Sequence, residues 1–98
     1  MIMGRVVGTV VATQKDSGLV GFKLQIVQTV DPGTMEVRED SVTAVDAVGA
    51  GSGDLVLCTR GSSARLTSVT QDRPVDAAIV AIIDTVEIDG EPTYRSNP

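Results

Sequence analysis

Residues 46–65, DAVGAGSGDLVLCTRGSSAR, hold the densest grouping of groups that could do chemistry. Gly49, Gly51 and Gly53 alternate there, as in a loop that turns its N–H groups onto a phosphate. A dinucleotide fingerprint needs a strand, then G-x-G-x-x-G, then a helix whose N-terminus meets the pyrophosphate. Here the third glycine comes one residue early, Asp54 follows it, and Leu55 to Thr59 reads as a strand rather than a helix. The Lys-Ser/Thr pair of a nucleoside-triphosphate loop is missing, and Asp46 and Asp54 bracket the segment with negative charge. The spacing therefore predicts a tight hairpin connection that uses glycine where the backbone needs positive φ.

Other chemistries fare no better. Cys58 is the only cysteine and lies in Val56-Leu57-Cys58-Thr59, a strand-like context that predicts a buried apolar thiol. Ser62 and Ser63 have Arg65 close by, but the chain has no histidine, and a serine without a placed base is an ordinary hydroxyl. Metal binding would fall to thirteen scattered carboxylates with no calcium-loop spacing. No catalytic, cofactor or metal site is expected.

Composition narrows the class further. Eight basic against thirteen acidic residues give a net charge of −5, which opposes nucleic-acid binding through phosphate neutralisation. Only Phe22 and Tyr94 are aromatic, so Val, Ile, Leu and Ala must fill the core of this 98-residue chain. A domain of this size is marginal alone, and a lone cysteine removes the intrachain disulfide as a remedy. The reduced cysteine, the absence of a signal-peptide pattern and the lack of a long apolar run lead to the expectation of a cytoplasmic protein with no membrane partner.

The elements that must position these residues follow from period and punctuation. IMGRVVGTVVAT alternates as a first strand, with Ile2, Gly4, Val6, Gly8 and Val10 on one side and apolar residues on both. After the turn at Lys15–Gly21, FKLQIVQTV gives a second strand, with Phe22, Leu24 and Ile26 on the apparent core side, ended by Asp31-Pro32-Gly33. TMEVRED is expected as an exposed loop, Ser41–Val48 as a third strand and Leu55–Thr59 as a fourth. Ser62 or Ser63 is expected to cap a helical turn. RPVDAAIVAIIDTVEIDG is read as a short helical turn at Val75–Ala77 and then one buried strand from Ala78 to Ile88. Asp89-Gly90 marks a turn. The result is an all-β chain: a small five-stranded OB-like β-barrel with one short helical insertion, occupying residues 1–90, and a polar C-terminal tail at 91–98. Its surplus apolar strand faces predict an interface with other subunits.

Three blocks, GRVVGTVVATQK, AVDAVGAGSGDLVLCTRGSSAR and PVDAAIVAIIDTVEI, resemble in that order the bacterial microcompartment vertex proteins of the EutN/CcmL family. That family occurs in the shells of carboxysomes and metabolosomes. The resemblance runs from Met3 to about Ile88. It implies assembly as a cyclic homopentamer that caps a shell vertex in the bacterial cytoplasm, beside hexameric shell proteins. It also implies structural and assembly roles for Gly4, Gly8, Asp46, Gly49, Gly51, Gly53, Asp54, Gly61, Ser62, Ala64, Arg65, Pro74, Asp76 and Asp84. From another class, a small OB-like module that binds a ligand or protein is the alternative, and a basic groove or exposed aromatics would be its mark.

Overall fold

The computed structural model describes residues 1–96. Five strands close into a barrel: β1 (Ile2–Val10), β2 (Leu24–Val30), β3 (Val37–Asp46), β4 (Leu55–Arg60) and β5 (Ala77–Ile82). Around the barrel the order is β1-β2-β3-β5-β4, with β3 and β5 parallel and every other pair antiparallel. The expected OB-like closed barrel is thus present. Two further strands, β6 (Thr85–Ile88) and β7 (Glu91–Arg95), form a separate two-stranded sheet.

The interior is built from small and β-branched residues, as the shortage of aromatics requires: Val6, Val27, Ala44, Ala50, Val56, Cys58, Ala77 and Ile79. Gly4 lets β1 lie against β2 there. A Cβ at this position would collide with Val27 Cγ1 and sit 2.6 Å from the Gln28 carbonyl oxygen. Pairing is interrupted within β1. A bulge between Val6 and Gly8 leaves Val7 without a partner on β2, and Val7 is 47% exposed on the face opposite the core residue Val6.

In β2 the expected faces are reversed. Gln25 and Val27 point inward, whereas Leu24 and Phe22 pack outside the barrel. Outside, they join Leu19, Val75 and Val80 over the buried Val45, Ala64 and Ala78. Alternation explains the pairing of layers: Ala44 and Ile79 face in, while their neighbours Val45 and Ala78 face out. One outer wall is therefore covered by the chain's own connections.

Five other expectations are corrected. TMEVRED is not all loop, because β3 begins at Val37 and Val37 pairs with Val30; its exposed polar side chains hid the strand. No helical turn forms at 75–77. The helical insertion is a 3₁₀ turn at Gly61–Arg65, led by Arg60 with no side-chain cap instead of by a serine. The strand expected from Ala78 to Ile88 is two strands, with a bend at Asp84. The polar tail continues as β7, since Asp89 (φ 53°) and Gly90 (φ 81°) make a two-residue turn that pairs Ile88 with Glu91. Pro92 masks that strand in the sequence and is tolerated because β7 is an edge. The last two residues of the expected tail, Asn97 and Pro98, lie outside the described residues.

Candidate functional site

The glycine-rich segment does not join neighbouring strands. It carries the chain from β3 to β4, which are not adjacent in the barrel, so the expected hairpin is in fact a crossover. The segment anchors itself by one residue. Ala50 is 1% exposed and belongs to the interior cluster, where its carbonyl accepts a hydrogen bond from Gln25 Nε2 at 2.9 Å. Gln25, itself 1% exposed, receives the Thr9 hydroxyl on its Oε1 at 3.1 Å, so both ends of the buried amide are satisfied.

Local carboxylates take up the N–H groups that a phosphate would need. Asp46 Oδ1 accepts from the amides of Val48 (3.0 Å) and Gly49 (2.9 Å), and Asp54 Oδ2 accepts from Gly51 (2.8 Å). The Gly53 amide donates to the Val6 carbonyl at 2.8 Å, and the Val6 amide to the Asp54 carbonyl at 3.0 Å. Gly53 needs its glycine, since its φ is +87°. An anion arriving here meets two carboxylates instead of free donors, so the loop is a structural latch tying β1 to the β3–β4 crossover. Arg5 reinforces it from outside: its Nη1 donates to the Gly53 carbonyl at 2.7 Å, and its guanidinium lies 5.7 Å from the centre of the Tyr94 ring. The latch and β7 are thereby joined through one side chain.

The second group of expected positions gathers around the β4–β5 connection. The Gly61 amide donates to the Asp76 carbonyl at 2.7 Å, and the fully buried Ala64 offers its carbonyl to the Thr70 hydroxyl at 2.6 Å. Thr70 is also fully buried, although a threonine in a polar loop carries no sign of burial in the sequence. Ser62 and Arg65 stay exposed, and with Pro74 they line an open groove of about 680 Å³ that also meets Asp16 and Arg73. Gly8 meets only ordinary contacts, and Asp84 stands apart at the β5–β6 bend. Eleven of the fourteen positions thus fall into two clusters, five at the latch and six at the turn, while Gly4 at the β1–β2 contact, Gly8 and Asp84 lie in neither.

Cys58 is fully buried within the barrel, and desolvation pushes its thiol up to about 11 from an ordinary 9.0. It stays protonated and shielded at neutral pH. A thiol reagent such as Ellman's is expected to leave it unmodified in the folded protein and to titrate it fully in denaturant. Because the folded-state value is raised, the thiol's contribution to stability is complete below pH 9 and is lost as pH climbs toward 11. Urea midpoints at pH 8 and pH 10.5 should therefore converge more for a Cys58→Ala variant than for the parent chain.

Residues 1–84 match the family described as ethanolamine utilisation protein EutN/carboxysome. The chain belongs to the EutN/CcmL family. Among its relatives, the carboxysome shell vertex protein CcmL of Gloeobacter violaceus is 45% identical over 94 residues, spanning 96% of this chain and 93% of that one. The solved structure of CcmL from Nostoc superposes with a TM-score of 0.93 at 44% identity, covering 98% of this chain and all of that one. GrpN from Rhodospirillum rubrum, described as a pentameric microcompartment shell protein, superposes with a TM-score of 0.81 at 41% identity, covering 90% and 99%.

Proposed function

We propose that this chain is a non-enzymatic structural shell protein, the pentameric vertex cap of a bacterial microcompartment in the bacterial cytoplasm. The observation that carries this reading is its end-to-end likeness to proteins described as shell vertex proteins, one of them pentameric. Geometry supplies the need: a sheet of six-fold tiles closes into a polyhedron only where five-fold units replace them. A cyclic pentamer uses a heterologous contact that closes after five rotations. The hexameric shell proteins flanking each vertex are its partners. Co-expression with such hexamers tests the role. Closed polyhedra are expected when the chain is present and open or elongated shells when it is left out, and closed shells without it would refute the cap.

The Gly61–Arg65 turn lies at the subunit boundary in this reading. Arg65 is exposed at the end of the turn, beside an 81% exposed Leu66. Across a boundary its guanidinium would meet a carboxylate or backbone carbonyls of the next subunit. Arg65→Ala is expected to make the ring dissociate at about ten-fold higher concentration, the effect of losing roughly 1.4 kcal/mol per contact. Sedimentation across a dilution series checks this, and an unchanged profile would remove Arg65 from the boundary.

A further inference from the structure

At the latch, carboxylates and amides satisfy one another within the chain, as Asp46 and Asp54 show. The open groove of about 680 Å³ beside the Gly61–Arg65 turn is built differently. Arg65 and Arg73 line it together with Asp16 and Asp72, yet none of the four is in an ion pair. Among the described residues the one ion pair is Arg38 with Asp31. The fold therefore holds two guanidiniums and two carboxylates around one space without letting them neutralise each other.

The walls of this space are fixed. The buried Thr70 ties them together, its hydroxyl donating to the Ala64 carbonyl at 2.6 Å. Three residues on, the Arg73 amide donates to the Thr70 carbonyl at 3.0 Å. The Arg73 guanidinium lies 6.0 Å from the centre of the Phe22 ring, which restrains it without consuming its donors. On another side the 3₁₀ turn Ser17–Leu19 presses on Pro74, since a Cβ at Gly18 would fall 2.7 Å from Pro74 Cδ. The volume lies within the range of small-molecule sites.

We propose that this groove binds a small hydroxylated organic phosphate. Arg65 and Arg73 offer planar donor forks that match a doubly charged phosphate, and the Ser62 hydroxyl adds one more donor. Asp16 spends Oδ1 on the Gly18 amide at 2.7 Å and keeps its other oxygen for the groove. That oxygen and the Asp72 carboxylate accept from ligand hydroxyls, while the Gln71 amide serves either end. The mixture of signs decides the class. A bare anion gains the guanidiniums but meets two carboxylates, whereas a phosphate with hydroxyl donors uses both. A guanidinium has two donor edges, so Arg65 in the groove keeps one for a neighbouring subunit.

Titration of the labelled protein, followed through its backbone amide signals, tests the proposal with glycerol phosphate, inorganic phosphate and glycerol. Glycerol phosphate is expected to shift the amides of Ser62, Gln71 and Arg73 to saturation, about ten-fold more tightly than inorganic phosphate. Glycerol alone should shift none of them. Arg73→Gln should weaken glycerol phosphate by about ten-fold or more. Asp72→Asn keeps a residue suited to the φ of 59° and should narrow the preference over inorganic phosphate to within about three-fold. Both variants change exposed side chains, so signals away from the groove should stay in place. Shifts that do not saturate would overturn the proposal, as would equal affinity for the two phosphates in the parent chain. So would an Arg73→Gln variant that binds like the parent, or an unchanged preference in Asp72→Asn. The groove is formed within one chain, so this titration reads it independently of whether the ring forms.

Discussion

Replacing Gly4 by valine is expected to leave no soluble, assembled protein. A Cβ on Gly4 falls 2.6 Å from the Gln28 carbonyl oxygen and collides with Val27 Cγ1. The first is backbone, held in the β1–β2 ladder where Gly4 pairs with Thr29, and the second belongs to a fully buried side chain of the core. Neither can move without opening the barrel. Gly4→Ala alone should cost about 3 kcal/mol, the upper part of the usual range for overpacking a filled interior. Valine adds two more carbons, and the total then approaches the roughly 5 kcal/mol at the low end of native stabilities. Gly8→Ala is the control. Its Cβ would be 3.5 Å from Ile26 Cδ1, an ordinary contact, so the same substitution four residues on should shift stability by less than about 1 kcal/mol. Urea unfolding of the two alanine variants separates the cases. Equal losses would mean that the close approach of β1 to β2 at Gly4 is not what fixes the glycine.

Substituting Gln25 is the second large effect expected. Gln25→Leu keeps most of the volume but leaves the Ala50 carbonyl inside the barrel without its 2.9 Å donor, a loss of about 1–3 kcal/mol. Gln25→Ala adds a cavity in the interior and should cost about 2–4 kcal/mol. The damage should be local to the latch. Amide exchange is expected to quicken first at Gly49, Gly51 and Gly53, whose partners are set by the position of Ala50, while the β2–β3 ladder stays protected. Exchange that quickens evenly across the barrel would show that Gln25 acts through overall stability and not by seating the crossover.

Where the sequence could be read, the signals were local. Alternation marked β1 and β4, and Asp31-Pro32-Gly33 and Asp89-Gly90 marked turns, because each depends on residues within a few positions of one another. Bracketing aspartates argued against a phosphate loop, and in the fold those carboxylates hold the loop's amides. The reversal of β2 was hidden because a glutamine facing a core makes sense only once Ala50, twenty-five residues away, is known to meet it. The second layer around Val45 and Ala78 was hidden for a similar reason. Leu19, Phe22 and Val75 come from two separate connections, and only the fold brings them together. Strand β7 was masked by Pro92 and by its exposed polar residues. Of the marked positions, Gly4, Asp46, Gly53 and Asp54 have roles that their chemistry explains. Arg65 is exposed in the single subunit.

The mass of the parent chain in solution, followed by native mass spectrometry over a wide dilution series, tests the vertex role most directly. The role predicts a species near five times 10.2 kDa, about 51 kDa, that persists on dilution, as an apolar interface between marginal domains requires. A chain that stays at 10.2 kDa at every concentration would contradict it.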